Sequence, residues 1–214
     1  MIATIKPDNC KKTLLTSEAN QYITEIANSS PIQKNPICII NIGGIASGKT
    51  TVCRIYIKDY LKMNMTSFCD INPDNVLEKF YDNNVNCYGL TSNSPYDIIN
   101  GLFTKAVSRR CNILYDTTGI NTKDVMKKLK ELHKHKYIIN FCVCVIDNID
   151  IALKRVIKRA KKTGRHVDED HFIQRYHDLP IALNTFYFKL PKNKYNEIVV
   201  FNTSRKTPKL IHIF

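Results

Sequence analysis

The sequence predicts an α/β protein of three layers, with helices on both faces of a mainly parallel, doubly wound sheet of five strands. Short apolar segments alternate along the chain with amphipathic ones, and this order requires helical crossovers between parallel strands. The unbroken apolar run at 37–42 is typical of a parallel strand that is buried on both faces. A chain of 214 residues suits one such domain, with an N-terminal helix and connector over residues 1–36.

Strands are predicted where an apolar run of four to ten residues is bounded by polar or turn-forming residues. In chain order they lie at 37–42, 66–69, 112–116, 137–146 and 197–201. The residues after the first three of these strands are rich in glycine, aspartate and threonine. Because the carboxyl ends of parallel strands share one edge of the sheet, we expect these residues to meet there.

Helices are predicted where apolar residues recur at a spacing of three or four behind a capping residue. In chain order they lie at 16–30, from the glycine-rich segment to about 62, at 94–110, 123–135 and 147–162, and, as one or two helices, at 168–188. A helical turn is predicted at 76–81. Pro95 at a first helical position and Asn121 just before a helix are the strongest start signals. Residues 82–93 are expected to form a surface loop.

The most informative segment is Gly-Gly-Ile-Ala-Ser-Gly-Lys-Thr at 43–50, which joins the first strand to a helix. This is the pattern of a phosphate-binding loop, or P-loop, in which backbone N–H groups and a helix N-terminus hold a phosphate. Lys49 is expected to reach the β- and γ-phosphates, and the Thr50 hydroxyl is expected to ligate Mg²⁺. The nucleotide-binding residues predicted here are Gly43, Gly44, Ile45, Ala46, Ser47, Gly48, Lys49, Thr50 and Thr51. A nucleoside triphosphate, ATP or GTP, is the expected ligand, and the fold is expected to be that of a P-loop NTPase.

Switch GTPases, motor ATPases and small kinases all use such a loop. The chain has no Asn-Lys-x-Asp segment of the kind that recognises guanine, and motor ATPases need more chain for their coupling elements. A compact P-loop kinase is therefore predicted. Phosphoryl transfer to a hydroxyl also requires a carboxylate that orients the acceptor and cations that neutralise the transferred group.

Five residues outside the loop are candidates for these tasks, and a threonine is considered below. Asp74, after the second strand, is placed to accept the proton of an acceptor hydroxyl, or else Asn72-Pro73-Asp74 is only an Asx turn. Asp116 ends a strand, where it would hold Mg²⁺ or cap the next turn. The remaining candidates are arginines on a basic segment at about 150–170, which would form a lid over the triphosphate or a solvated helix face. They are Arg155, Arg159 and Arg165.

The net charge indicates the kind of partner, and the cysteines indicate the redox compartment. Lys and Arg exceed Asp and Glu by 32 to 19, and the net charge of +13 favours anionic partners, nucleic acid included. No segment has the length of a membrane span or the pattern of a signal peptide, so we expect a cytoplasmic protein with no membrane partner. The eight cysteines lie mostly in apolar, strand-like surroundings and are expected to be reduced core thiols.

Taken together, these motifs resemble the zeta-toxin group of P-loop kinases, relatives of the polynucleotide-kinase-like and chloramphenicol-phosphotransferase-like enzymes. The resemblance spans about 37–201 and rests on four segments: 43–50, Asn-Pro-Asp at 72–74, Asp-Thr-Thr-Gly at 116–119, and the arginines with Thr-Gly-Arg-His-Val at 163–167. It implies ATP- and Mg²⁺-dependent phosphorylation of a hydroxyl. Asp74 then matches the family's base, Thr118 a substrate-contacting threonine, and Arg159 and Arg165 the arginines near the phosphates.

The acceptor in the bacterial toxins is a UDP-linked amino sugar, but no arginine closes the segment 75–79 behind Asp74 as the family pattern requires. We therefore predict transfer of the γ-phosphate of ATP to a nucleotide-sugar-like or other small phosphorylated acceptor. One alternative is a polynucleotide 5′-hydroxyl kinase, which the positive net charge favours. Another is a nucleotide-binding regulatory module without catalysis.

Overall fold

The computed structural model describes residue 10 and residues 14–89, 93–164, 167–189 and 195–213. Six strands form a single sheet. They are β1 Ile37–Gly43, β2 Phe68–Ile71, β3 Asn112–Thr117, β4 Ile138–Val145, β5 Glu197–Asn202 and β6 Lys209–Ile213. Their order across the sheet is β2-β3-β1-β4-β5-β6; the first five are parallel, and β6 pairs antiparallel with β5.

Helices connect and cover the strands. They are α1 Thr16–Asn28, α2 Lys49–Ile55, α3 Pro73–Tyr81, α4 Pro95–Ser108, α5 Thr122–Lys134, α6 Ile149–Thr163 and α7 Glu169–Lys189. A π-helical turn, Tyr56–Tyr60, continues α2, and short 3₁₀ turns lie at Met65–Ser67 and Val85–Gly89. None of the helices within the described ranges has the length and apolarity that a bilayer crossing requires.

The predicted α/β fold with a mainly parallel sheet is confirmed, but the predicted count of five strands is wrong. The sixth strand, β6, covers five residues at the sheet edge and is exposed at four of them. Lys209 and His212 interrupt its apolar character, so the isolated segment gives a weak strand signal. Pairing with β5 stabilises it as a strand.

Two apolar cores lie on the two faces of the sheet. The larger one packs α1, α4, α5 and α7 against it through residues such as Tyr22, Leu102, Leu129 and Phe186. The smaller core packs α2 against the other face, with Val52 and other fully buried side chains. Fully burying one such aliphatic side chain stabilises the fold by about 1.5–3 kcal/mol.

This topology places the loops after β1, β2 and β3 at one edge of the sheet. β1 lies between β3 and β4, and Asn41 and Ile42 are in register with Asp116 and Thr117 of β3. The connection from β1 to β2 packs on one face, whereas the later connections pack on the other. Such a switch point opens a crevice at the carboxyl ends of the strands, where α/β proteins bind ligands.

The expectation that all eight cysteines are reduced is wrong for two of them. Cys10 and Cys87 form a disulfide with their Cα atoms 5.2 Å apart, and 77 residues of sequence separate them. The tertiary fold brings them together, so nothing local in the sequence indicates the pair. The other six cysteines are free and buried, as expected.

Candidate active site

The segment 43–50 forms a tight loop between β1 and α2. Ala46 and Gly48 adopt left-handed backbone conformations, with φ of 57° and 86°, on either side of Ser47. The Ser47 N–H donates to the Gly44 carbonyl at 3.2 Å, and Gly48 is the N-cap of α2. Such alternation turns successive N–H groups toward one centre and makes a concave site for an anion.

Close packing fixes the start of this loop. A Cβ on Gly43 would lie 2.5 Å from Ser47 Oγ and 2.9 Å from Cys144 Cβ, so only glycine fits there. A Cβ on Gly44 would lie 3.6 Å from Leu179 Cδ2, which is an ordinary contact. The same proximity shows that α7 passes directly over the loop.

Lys49 lies inside the loop rather than in solvent. Its ammonium group donates to the carbonyl oxygens of Gly43 at 3.0 Å and Gly44 at 3.1 Å. It also lies 4.0 Å from Asp116 Oδ1, and the two side chains are only 16% and 11% exposed. The carboxylate at the end of β3 therefore lies beside the lysine within the phosphate-binding loop.

Asp74 lies in the first turn of α3, where Asn72 provides the cap. The Asn72 side-chain oxygen accepts a hydrogen bond from the Asp74 backbone N–H at 2.9 Å. The two interpretations of Asn72-Pro73-Asp74 therefore do not compete: Asn72 makes the turn, and the Asp74 carboxylate faces the crevice. Its Oδ2 lies 3.8 Å from Nη1 of Arg159 on α6.

The loop, α3, β3 and α6 together enclose a cavity of about 290 Å³. Its lining residues are Ala46, Ser47, Gly48, Lys49, Thr50, Thr51, Asp74, Asp116, Arg155 and Arg159. Three cationic side chains and the N-terminus of α2 suit a polyphosphate. The Thr50 hydroxyl and the Asp116 carboxylate are oxygen donors of the kind that Mg²⁺ prefers, so the residues present fit both groups.

Some of the predicted site residues do not line the cavity. Gly43, Gly44 and Ile45 shape the loop without lining the cavity, and Thr118, half-buried, follows β3 by one residue. Arg165 is outside the described residues. The segment predicted as a basic lid contains most of α6, which ends at Thr163 and is followed by its C-cap, Gly164, with a φ of 70°.

The turn between β5 and β6 borders the site, although it was not predicted from the sequence. Arg155 Nη2 donates to the Thr203 carbonyl at 2.6 Å and weakly to the Arg205 carbonyl at 3.4 Å. A Cβ on Gly48 would lie 3.9 Å from the Thr203 side chain. Arg155 thus joins α6 to this turn as well as lining the cavity. Because β6 was not predicted, no sequence signal marked the turn.

Three thiols pack beneath the loop, on the α2 side of the sheet: Cys53, Cys142 and Cys144. Burial, reinforced by the nearby Asp116, raises the pKa of Cys53. A hydrogen bond with Cys144 and burial raise the pKa of Cys142 well above its usual range. Cys53 and Cys142 are therefore neutral packing elements that support the loop from below.

A doubly wound sheet with this loop, this buried lysine and these strand-end carboxylates defines a protein of the P-loop NTPase type. The family model for zeta toxin matches residues 20–209. The chain belongs to the zeta toxin family, which consists of P-loop kinase-like phosphotransferases, and the resemblance inferred from the motifs is confirmed. No curated protein sequence matches the chain.

Several solved structures have a similar fold. A structure from the PezAT chromosomal toxin–antitoxin system of Streptococcus pneumoniae has a TM-score of 0.68 and 17% identity. The match covers 94% of this chain and 82% of the chain in that structure. A structure of AvrRxo1-ORF1:AvrRxo1-ORF2 with sulphate ions has a TM-score of 0.67 and 11% identity. The same complex has also been solved with ATP, at the same score and identity. Both matches cover 92% of this chain and 66% of the AvrRxo1 chain.

Proposed function

We propose that the protein is an ATP- and Mg²⁺-dependent kinase that transfers the γ-phosphate to a hydroxyl of a small acceptor such as a nucleotide sugar. The observation that carries this proposal is the convergence of Lys49, Asp74 and Arg159 on one cavity at the N-terminus of α2. A phosphate-binding group, a carboxylate and a second cation are the parts that phosphoryl transfer to an alcohol needs. The solved AvrRxo1 complex with ATP supports ATP as the donor.

Each residue has a distinct task in this proposal. Lys49 and the loop amides hold the β- and γ-phosphates, and Arg159 neutralises charge on the phosphoryl group as it moves. The Asp74 carboxylate accepts the proton of the acceptor hydroxyl while that oxygen attacks. Thr50 and Asp116 would hold Mg²⁺, which would neutralise phosphate charge when bound.

The helical cover over the loop excludes water from the transferred group. The Leu179 side chain of α7 lies near Gly44, and Ile45 and Ala46 pack with Phe172 and Val156 in a small apolar cluster between α6 and α7. Water kept from the γ-phosphate cannot compete with the acceptor hydroxyl. These contacts therefore favour transfer over hydrolysis.

Two variants test the assignment, with radiolabelled ATP and a panel of hydroxyl acceptors as the assay. Lys49→Ala is expected to lose nucleotide binding, whereas Asp74→Asn is expected to keep binding and lose transfer by at least about a hundredfold. Lys58→Ala and Asp59→Asn, exposed positions on the π-helical turn after α2, are the matched controls. Transfer at the normal rate by Asp74→Asn would contradict the role of Asp74 as the base.

A polynucleotide 5′-hydroxyl kinase is the second candidate. The observation that favours it is the row of exposed lysines on α6, beside the cavity, formed by Lys154, Lys158, Lys161 and Lys162. A nucleic acid acceptor predicts that binding weakens steeply as salt rises, because the lysines release counterions from the phosphates. Phosphorylation of small acceptors and not of 5′-hydroxyl oligonucleotides would eliminate this candidate.

A further inference from the structure

The turn between β5 and β6, residues 203–208, is fixed at its start by Thr203, which is only 2% exposed. The Thr203 backbone N–H donates to the Val145 carbonyl at the end of β4 at 2.9 Å, and the Thr203 hydroxyl donates to the same carbonyl at 3.1 Å. A Cβ on Gly48 would lie 3.9 Å from Cβ and Cγ2 of Thr203. Thr203 is therefore held between the end of the sheet and the N-cap of α2.

A bracket of polar side chains fixes the residues on either side of Thr203. Asp147, two residues after β4, accepts a hydrogen bond from the Asn202 side chain at 2.9 Å through Oδ2 and one from the Ser204 hydroxyl through Oδ1. The Asp147 backbone N–H donates to Ser204 Oγ at 3.0 Å, and the Ser204 backbone N–H donates to Asn202 Oδ1 at 2.8 Å. The bracket therefore sets the direction in which the chain leaves β5 and, with it, the direction of the Thr203 carbonyl.

The Thr203 carbonyl holds Arg155 of α6. Nη2 of Arg155 donates to this carbonyl at 2.6 Å and, more weakly, to the Arg205 carbonyl at 3.4 Å. Both contacts use one nitrogen of the guanidinium, which carries five N–H donors in all. Nε and Nη1 therefore keep donors for a ligand, and Arg155 lines the cavity at the phosphate-binding loop.

The two arginines of α6 that line the cavity are held by different kinds of partner. Arg159 lies 3.8 Å from the Asp74 carboxylate, whereas the contacts of Arg155 are to backbone carbonyls. A carboxylate beside an arginine offsets its charge and repels an incoming phosphate, but a neutral carbonyl orients the guanidinium and leaves its full charge. The environment of Arg155 therefore suits the binding of a phosphate.

We propose that Thr203 is a positioning residue for nucleotide binding, and that its carbonyl orients Arg155 toward the phosphates of ATP in the cavity. Asp147 and Ser204 hold Thr203 in the required orientation. A long arginine side chain loses rotamer freedom when it binds a ligand, and fixing it beforehand removes part of that cost. The proposal rests on the proposed function and adds to it the part of the chain that prepares Arg155.

Calorimetric titration with a non-hydrolysable ATP analogue and Mg²⁺ tests this role. Thr203→Val keeps the shape of the side chain and removes the hydroxyl that bonds to Val145. We expect the analogue to bind about five- to tenfold more weakly, within the range that one charge-assisted hydrogen bond predicts. Thr203→Ser keeps the hydroxyl and should stay within about twofold of wild type. Thr207→Val, exposed on the same turn, is the matched control.

The same substitutions in an Arg155→Ala protein separate positioning from a merely structural role. Ser204→Ala, which breaks the bracket with Asp147 and leaves Thr203 intact, is the second variant. In the Arg155→Ala background, Thr203→Val and Ser204→Ala should each change the affinity by less than about twofold, because no guanidinium is left to orient. Losses of the same size in both backgrounds would overturn the proposal. Unchanged affinity of both variants in the wild-type background would also overturn it.

The outcomes also separate this proposal from the proposed function, because analogue affinity is measured without an acceptor. Weaker binding that depends on Arg155 supports the positioning role even when no acceptor is phosphorylated, and in that case only the proposed kinase function fails. Denaturant unfolding of each variant accompanies the titrations. Ser204 is half-buried and its partner Asp147 is exposed, so Ser204→Ala is expected to fold and decides the test if Thr203→Val does not.

Discussion

Arg159 on α6 and Asp74 on α3 form an ion pair across the cavity, with Nη1 and Oδ2 3.8 Å apart. The side chains are 29% and 41% exposed, so the pair itself adds little to stability. The ion pair matters because of where it lies rather than because of its energy. It brings one cation of the basic helix to the carboxylate proposed as the base, at the mouth of the phosphate-binding loop.

Arg159→Ala is predicted to lower kcat for phosphate transfer by about 10²–10³-fold, because the charge on the moving phosphoryl group loses its partner. Nucleotide affinity is expected to fall by less than about tenfold, since Lys49 and the loop amides remain. Arg159→Lys should recover part of the rate, and Lys158→Ala, an exposed neighbour, serves as the control. Steady-state kinetics and nucleotide titration measure both effects. An equal loss of affinity and rate would assign Arg159 to ground-state binding instead.

Gly43→Ala and Gly44→Ala are predicted to differ sharply although the residues are adjacent. A methyl group on Gly43 meets Ser47 Oγ and Cys144 Cβ inside van der Waals distance, whereas one on Gly44 meets only Leu179 at 3.6 Å. Gly43→Ala should therefore destabilise the fold by about 1–3 kcal/mol and weaken nucleotide binding. Gly44→Ala should stay within about 0.5 kcal/mol of wild type. Denaturant unfolding measures both, and equal effects would contradict the packing of the loop.

The parts of the site that could be predicted from the sequence are those encoded locally. The run from Gly43 to Thr50 specifies its own backbone conformation, and Asp74 and Asp116 follow strands recognisable from their apolar runs. A parallel sheet then brings these loops to one edge whatever the details of packing. The resemblance to the zeta-toxin family added the expectation that the arginines act together with these motifs.

The rest depends on contacts between distant segments. The bond from Arg155 to the Thr203 carbonyl joins residues 48 positions apart, and strand β6 exists because β5 pairs with it. No local pattern of propensity or polarity records such contacts, which tertiary packing alone determines.

Lys128→Met is predicted to destabilise the fold by about 2 kcal/mol. The substitution removes the ammonium that pairs with Asp124 and Asn100, and it removes the cation over the rings of Phe103 and Tyr115. Glu131→Gln on the same helix is the matched control. Its side chain is 46% exposed and contacts the His135 ring at 3.0 Å, so the change should stay within about 0.5 kcal/mol. Thermal and denaturant unfolding compare the two, and a neutral Lys128→Met would show that the buried cation contributes nothing to stability.

Thiol titration is predicted to give different counts in three states of the protein. Because the six free cysteines are buried, the native protein should react slowly with a thiol reagent. Unfolding in guanidinium without reductant should expose six thiols, and unfolding after reduction should expose all eight. The disulfide between Cys10 and Cys87 closes a long loop, so its reduction should lower the free energy of unfolding by about 2–4 kcal/mol. Cys87→Ser should reproduce that loss and then be insensitive to reductant, whereas eight reactive thiols in the unreduced, unfolded chain would show that the pair is not bonded.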